Sequence, residues 1–225
     1  MQGSTVAPLW TRGRIAGALA LLAVWFAAVV VIGTERLLAG DGGTFLPPVA
    51  VTVVVPVAVF FAAYAASGAF RSFVLAHDVR DLTLLQMWRV IGFCFLPLYA
   101  YGVLPGLFAF PAGIGDVAVG IGAFVAVRRM NADPAYAVSG GVVAVHLAGL
   151  LDFAVAVTSS GFSSGFYPEL VADGVTSAPM GVWPLIVFPA FLVPLNIIVE
   201  LTALLKIAHL RRNRRVPAPR GAEAV

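Results

Sequence analysis

Charge is what this sequence has least of. Only 11% of its 225 residues are Asp, Glu, Lys or Arg, against roughly 25% in an ordinary soluble domain. A soluble fold of this size could not cover its core with so few polar groups. The 60% hydrophobic share and the mean hydropathy of +0.97 instead make lipid the solvent of the outer surface. Cysteine is reduced to Cys94, which excludes an internal disulfide and a thiolate metal cluster. Set in an apolar run, Cys94 reads as a small core residue. Lysine is reduced to Lys206, at the end of the last apolar stretch, so a retinal Schiff base in mid-helix has no donor. Of three histidines, only His146 lies within an apolar stretch, so a membrane haem held by two histidines and a histidine-rich metal site are both excluded. A rhomboid-like protease needs a serine with a histidine partner, and Ser139 and His146 fall at different depths of one helix. These absences weigh against an enzyme without excluding one, and they predict no cofactor and no metal.

Apolar stretches are abundant. A spanning helix needs about 20 apolar residues, and candidates run over 15–33, 48–70, 82–103, a shorter one over 113–127, then 136–158 and 183–207. The expected fold class is therefore all-α, a polytopic bundle of six transmembrane helices. Arg12 and Arg14 ahead of the first stretch resemble the start of a signal peptide. Its uncharged run exceeds the 7–15 residues of a typical signal core, which makes it a retained anchor. Residues 1–210 form one transmembrane domain, and 211–225 form a basic tail expected to be disordered and to lie against anionic headgroups.

The basic residues test the helix count. With six spans, Arg12, Arg14, Arg71, Arg80, Arg128, Arg129 and all those from Lys206 onward fall on one side, leaving Arg36 alone on the other and Arg89 inside a helix. One helix more or fewer destroys this segregation. The positive-inside rule then puts both termini in the cytoplasm of a bacterial inner membrane. The pI of about 9.4 reflects these flanks, so nucleic acid is not a partner. The connector 71–82 reads as an amphipathic stretch on the membrane surface, and 159–182 as the longest outer loop, a possible cap over an entrance.

Five ionisable residues stand where hydrocarbon makes them costly, about 2.5–3.5 kcal/mol each on insertion scales. Counting 1.5 Å per residue puts Arg89 and Glu200 each about 10 Å inside the cytoplasmic face. That matched depth predicts an ion pair that pins two helices or gates a path. The same count puts His146 near the midplane and Asp116 and Asp152 nearer the outer face, predicting a separate outward-facing pocket. Asn196 follows Pro184, Pro189 and Pro194 in the last span, where freed carbonyls could join it as ligands. Each of these residues can equally serve packing alone.

The segment 104–115, with Pro105, Pro111, Gly106, Gly113 and Gly115, is too apolar for an aqueous loop. The helix after it is too short to span, so a re-entrant segment is expected before the fourth helix, with Asp116 capping a half-helix. Gly113, Gly115 and Gly120 superficially match a dinucleotide fingerprint, but the strand and βαβ context are missing. Phe95-Leu-Pro97-Leu and Phe191-Leu-Val-Pro194-Leu occupy equivalent helices of two three-helix halves and suggest an inverted repeat.

The runs Trp88-Arg89-Val-Ile-Gly-Phe-Cys-Phe-Leu-Pro97, Gly102-Val-Leu-Pro105, Phe108-Ala-Phe-Pro-Ala-Gly-Ile-Gly-Asp116, Gly149-Leu-Leu-Asp-Phe153 and Val187-Phe-Pro-Ala-Phe-Leu-Val-Pro-Leu195 resemble a set of uncharacterised bacterial multi-pass membrane proteins. The resemblance implies a membrane fold and carries no activity. From the residues, the expected function is binding or transport of a small solute, ion or proton through an outward-facing polar cavity. A non-catalytic assembly partner of another membrane protein, a homo-oligomer included, stays open as the alternative, and a lipid-acting enzyme ranks behind both.

Overall fold

A computed structural model describes residues 11–40, 44–46 and 48–215. Hydrocarbon offers the backbone no hydrogen-bonding partner, so an apolar chain satisfies its own amides as helix. Among the described residues there is no strand. The described residues form eight α-helices in succession: α1 (Arg12–Thr34), α2 (Val51–Ala66), α3 (Gly68–Ala76), α4 (Val79–Leu84), α5 (Phe95–Ala100), α6 (Gly106–Ala132), α7 (Gly140–Phe162) and α8 (Val193–Arg215). Six helical stretches among the described residues are long and apolar enough to cross a membrane: Ile15–Thr34, Pro48–Ala66, Val79–Ala100, Gly106–Ala132, Gly140–Phe162 and Phe188–Asn213. This is a membrane-embedded helix bundle.

One end of the bundle is basic. There Arg80 Nε donates to the Asn131 side chain at 2.5 Å, Arg211 grips the Val138 carbonyl at 2.7 and 2.9 Å, and Lys206 reaches the Leu75 carbonyl at 2.5 Å. Arg129 donates to the Tyr136 hydroxyl at 3.0 Å, and that hydrogen bond draws the half-buried phenol below its usual pKa. Ser67 ends α2 and caps α3, its hydroxyl accepting from Phe70 N. Asp78 caps α4 in the same way through Arg80 N. The first half of the connector expected to be amphipathic is the end of α3, and 79–82 already belong to the third span.

The other end carries the long loops. Residues 163–187 fold back on the bundle: Ser177 N donates to Ser163 O at 2.8 Å and its hydroxyl to Ser160 O at 2.7 Å. Met180, in this loop, packs into a buried cluster with Phe95, Leu104, Phe108 and Ala112.

Three expectations are corrected. The fourth span is one continuous helix, α6, of 27 residues, about 40 Å long. Residues 106–115 are its first turns, so there is no re-entrant segment, and Asp116 caps nothing. Glycine and proline weaken a helix in water, but unsatisfied backbone in lipid costs several kcal/mol per group, and the helix wins. Pro111 merely leaves the Leu107 carbonyl without its helical donor. The basic tail starts later than expected, because 211–215 continue α8, while 216–225 lie outside the described residues.

Two spans depart from α geometry. Between α4 and α5 the third span winds as a 3-10 helix over Met87–Cys94, long for that form. The last span opens with a π-helical turn, Phe188–Leu192, directly before α8. Both irregular stretches lie in mid-bundle, beside the buried ionisable residues.

Candidate functional site

The third span carries Thr83, Gln86 and Arg89 at intervals of three, and all three side chains are buried. A spacing of three keeps residues on one face where the chain tightens towards 3-10 geometry. Arg89 stands at the centre. Its Nε donates to Asp116 Oδ1 of α6 at 2.7 Å. One Nη group pairs with Asp152 of α7 and the other with Glu200 of α8 at 3.4 Å. The guanidinium also lies over the Phe153 ring, 3.9 Å from its centroid. A planar fork with five donors suits three acceptors in a way an ammonium does not.

A second set of contacts extends the network towards the basic end. Glu200 pairs through its other oxygen with His146 Nδ1, and His146 Nε2 lies 3.0 Å from the Thr83 hydroxyl. That hydroxyl donates its single proton to the Val79 carbonyl at 2.7 Å, so it accepts from His146, and Nε2 carries the hydrogen. Nδ1 and Glu200 then share one further proton, as imidazolium with carboxylate or as imidazole with carboxylic acid. Either form is neutral. Beside that pair stand Arg89, with one positive charge, and Asp116 and Asp152, with two negative ones. With both aspartates ionised, the buried cluster is one positive charge short of neutral.

Glycines make this convergence possible. A methyl group at Gly115 would overlap the Asp152 carboxylate. One at Gly149 would overlap Glu200 and come within 2.8 Å of Arg89 Nη1. Gly92 accepts Asp116 in the same manner. Gly113, expected in a re-entrant backbone, instead lies against the Gly92 carbonyl, 3.1 Å from where its Cβ would be.

The two layers expected from depth are therefore one. The separate outer pocket and inner pair merge because Arg89 reaches Asp116 and Asp152 as well as Glu200, while His146 turns to Glu200. Asn196 stands apart from the carboxylates: its amide nitrogen donates to Leu192 O at 2.7 Å and its oxygen accepts from the Trp88 indole at 3.1 Å. Thr83, Gln86 and Phe153 escaped the sequence reading, although the spacing of three from Thr83 to Arg89 was a signal. The Gln86 amide makes no hydrogen bond to another group among the described residues, through either its nitrogen or its oxygen.

Asp116 and Asp152 form the floor of a partly open cavity of about 70 Å³. Its wall is otherwise apolar, with Val53, Phe95, Phe108, Ala112, Ala156 and Met180, and Ser160 as a further polar side chain. The cavity lies between the cluster and the long-loop end. A smaller one, about 20 Å³, separates Trp88 and Asn196 from Arg89 and Asp116, enough for one water by the usual measure of ~10–15 Å³. Among the described residues, no group of three or more His, Cys, Asp and Glu is arranged to hold a metal ion.

Residues 46–208 match the model of a family described as Domain of unknown function (DUF8737). The match covers the cavity wall and every member of the cluster and leaves α1 outside. No curated protein and no solved structure matches the chain.

Proposed function

The chain belongs to this family, whose description assigns no activity, and from the geometry we propose that it binds a small monovalent cation at the Asp116–Asp152 floor and passes it across a bacterial cytoplasmic membrane. The observation that carries the reading is that Asp116 and Asp152 share one arginine in a buried cluster at the floor of a cavity. Uncompensated charge in a low dielectric is costly, so the site gains from one added proton or one added cation. The basic flanks support an orientation with both termini in the cytoplasm and the cavity on the outer side.

Proton and cation meet the same deficit, so they compete. The charged and titratable groups concerned are Arg89 and Cys94 from the 3-10 stretch, Asp116 from α6, His146 and Asp152 from α7, and Glu200 from α8; α2 contributes only apolar residues to the cavity wall. Protonation at low pH fills the deficit and weakens cation binding, which is strongest on the alkaline side. The test is thermal stability of the purified protein across pH with sodium, potassium or ammonium chloride. At a hundredfold excess over Kd, ligand linkage of about 2.7 kcal/mol raises Tm by roughly 5 °C. Asp152→Asn, which neutralises the deficit, abolishes that rise. Absence of any cation-specific rise at roughly neutral to alkaline pH overturns the proposal.

A second reading is favoured by how fully the network pairs internally. Under it the cluster joins the helices of a non-catalytic assembly partner. Cysteines placed at Ala156 and Ser160, with Cys94 replaced, separate the two. A wet cavity lets an impermeant thiol reagent label both positions, and a closed bundle protects them.

A further inference from the structure

We propose that the occupant of the cavity is a short-chain primary alkylammonium, its ammonium on Asp116 and Asp152 and its chain against the apolar wall. The proposal rests on the cation reading above and narrows it. Hard inorganic cations exchange their water for several oxygen ligands. Here Arg89 already occupies part of both carboxylates, and Ser160 is the polar side chain that remains in the wall. Six oxygens are not on offer. An ammonium needs only three acceptors, and the rings of Phe95 and Phe108 line the same wall.

The wall rewards carbon as well as charge. Val53, Phe95, Phe108, Ala112, Ala156 and Met180 surround the space above the carboxylates, and they would leave a hydrated metal ion with unpaired water. Size sets the chain length. The cavity of about 70 Å³ is roughly half of the ~150 Å³ that admits benzene. Two or three carbons fill it, and a longer chain must project through the opening.

The experiment measures binding of ammonium, methyl-, ethyl-, propyl- and butylammonium, sodium and potassium to the full chain in lipid nanodiscs, by calorimetry. Affinity should rise about fourfold per methylene to ethyl- or propylammonium, the gain expected for burying a CH2, and then level off. Ala156→Leu fills the wall and leaves every carboxylate of the cluster in place. It should erase the chain-length gain, so that ethyl- and propylammonium bind no more tightly than ammonium itself. Val53→Thr keeps the shape and adds a hydroxyl, and should flatten the same gradient if Ala156→Leu does not fold. Affinity that stays flat along the series, or sodium or potassium binding more tightly than ethylammonium, overturns the alkylammonium assignment and leaves the cation reading standing. Failure of every cation to bind overturns both.

Discussion

Arg89 is held by side chains from three helices: Asp116 of α6, Asp152 and Phe153 of α7, and Glu200 of α8. Removing the one cation leaves Asp116 and Asp152 facing each other's charge across a buried space. Breaking a buried ion pair by deleting one partner costs about 3–5 kcal/mol. Arg89→Met should therefore lower Tm more than any single carboxylate change, and adding Asp116→Asn and Asp152→Asn to it should restore part of the loss. Strict additivity of the three changes, measured by thermal unfolding in detergent, contradicts a shared network. The glycines belong to the same argument. Gly115→Ala pushes a methyl into Asp152, whereas a Cβ at Gly68 meets nothing within 4 Å, so the first should disrupt the site and the second be neutral or mildly stabilising. All five ionisable residues were conspicuous in the sequence because charge is rare in apolar runs. Their division into two layers was an artefact of counting depth from helix ends: the third span begins at Val79 rather than at 82, α7 begins at Gly140 rather than at 136, and an arginine side chain reaches across more than one turn. Gly113 and Gly115 were misread for a different reason. A glycine permits both irregular backbone and close helix contact, and only the neighbouring helix tells which.

The third and last spans were legible as helices, but not as a 3-10 stretch and a π turn facing each other. Periodicity cannot distinguish 3.0, 3.6 and 4.4 residues per turn over so few residues, and the prolines of the last span read equally well as plain kinks. Hydrogen bonds fix the pairing instead. Thr52 of α2 donates to Val49 O at 2.6 Å and lies 3.3 Å from Pro189 O. Asn196 ties Leu192, the last residue of the π turn, to Trp88 of the 3-10 stretch. The amide is thus a bracket between two irregular elements. Asn196→Ala should cost about 1–3 kcal/mol, since it leaves the half-buried Trp88 indole N–H without its acceptor. Trp88→Phe should forfeit the same link, and the double variant should cost less than the sum. Hydrogen exchange should speed at 190–194 in either single variant and stay unchanged in α7. Equal and additive losses would mean that the bracket transmits nothing.

For the molecule as a whole, α1 stands outside the family match and at the edge of the bundle. Its hydrogen bonds and ring contacts run to the stretch 183–191: the Trp25 indole donates to Ala190 O at 3.1 Å, Phe26 meets Trp183 and Phe191 edge-on, and Trp183 N donates to Gly33 O at 3.2 Å. None of these touches the cluster, and most of α1 faces lipid. A chain lacking residues 1–40 should keep the cavity and the ion network. Sites that share no partner add within about 0.5 kcal/mol, so alkylammonium affinity should stay within roughly twofold while Tm falls. Orientation should survive as well. Arg71, Arg80, Arg128, Arg129 and Arg211 remain at one end, and short basic connections set the direction of insertion more than the first span alone. Under the proposed orientation the C-terminus should then stay cytoplasmic, as a fused fluorescent protein would report, while the new N-terminus emerges on the opposite side, where an external protease can remove a tag. Loss of binding with the bundle intact would make α1 part of the transport path, and inversion of the C-terminus would make it the element that orients the rest.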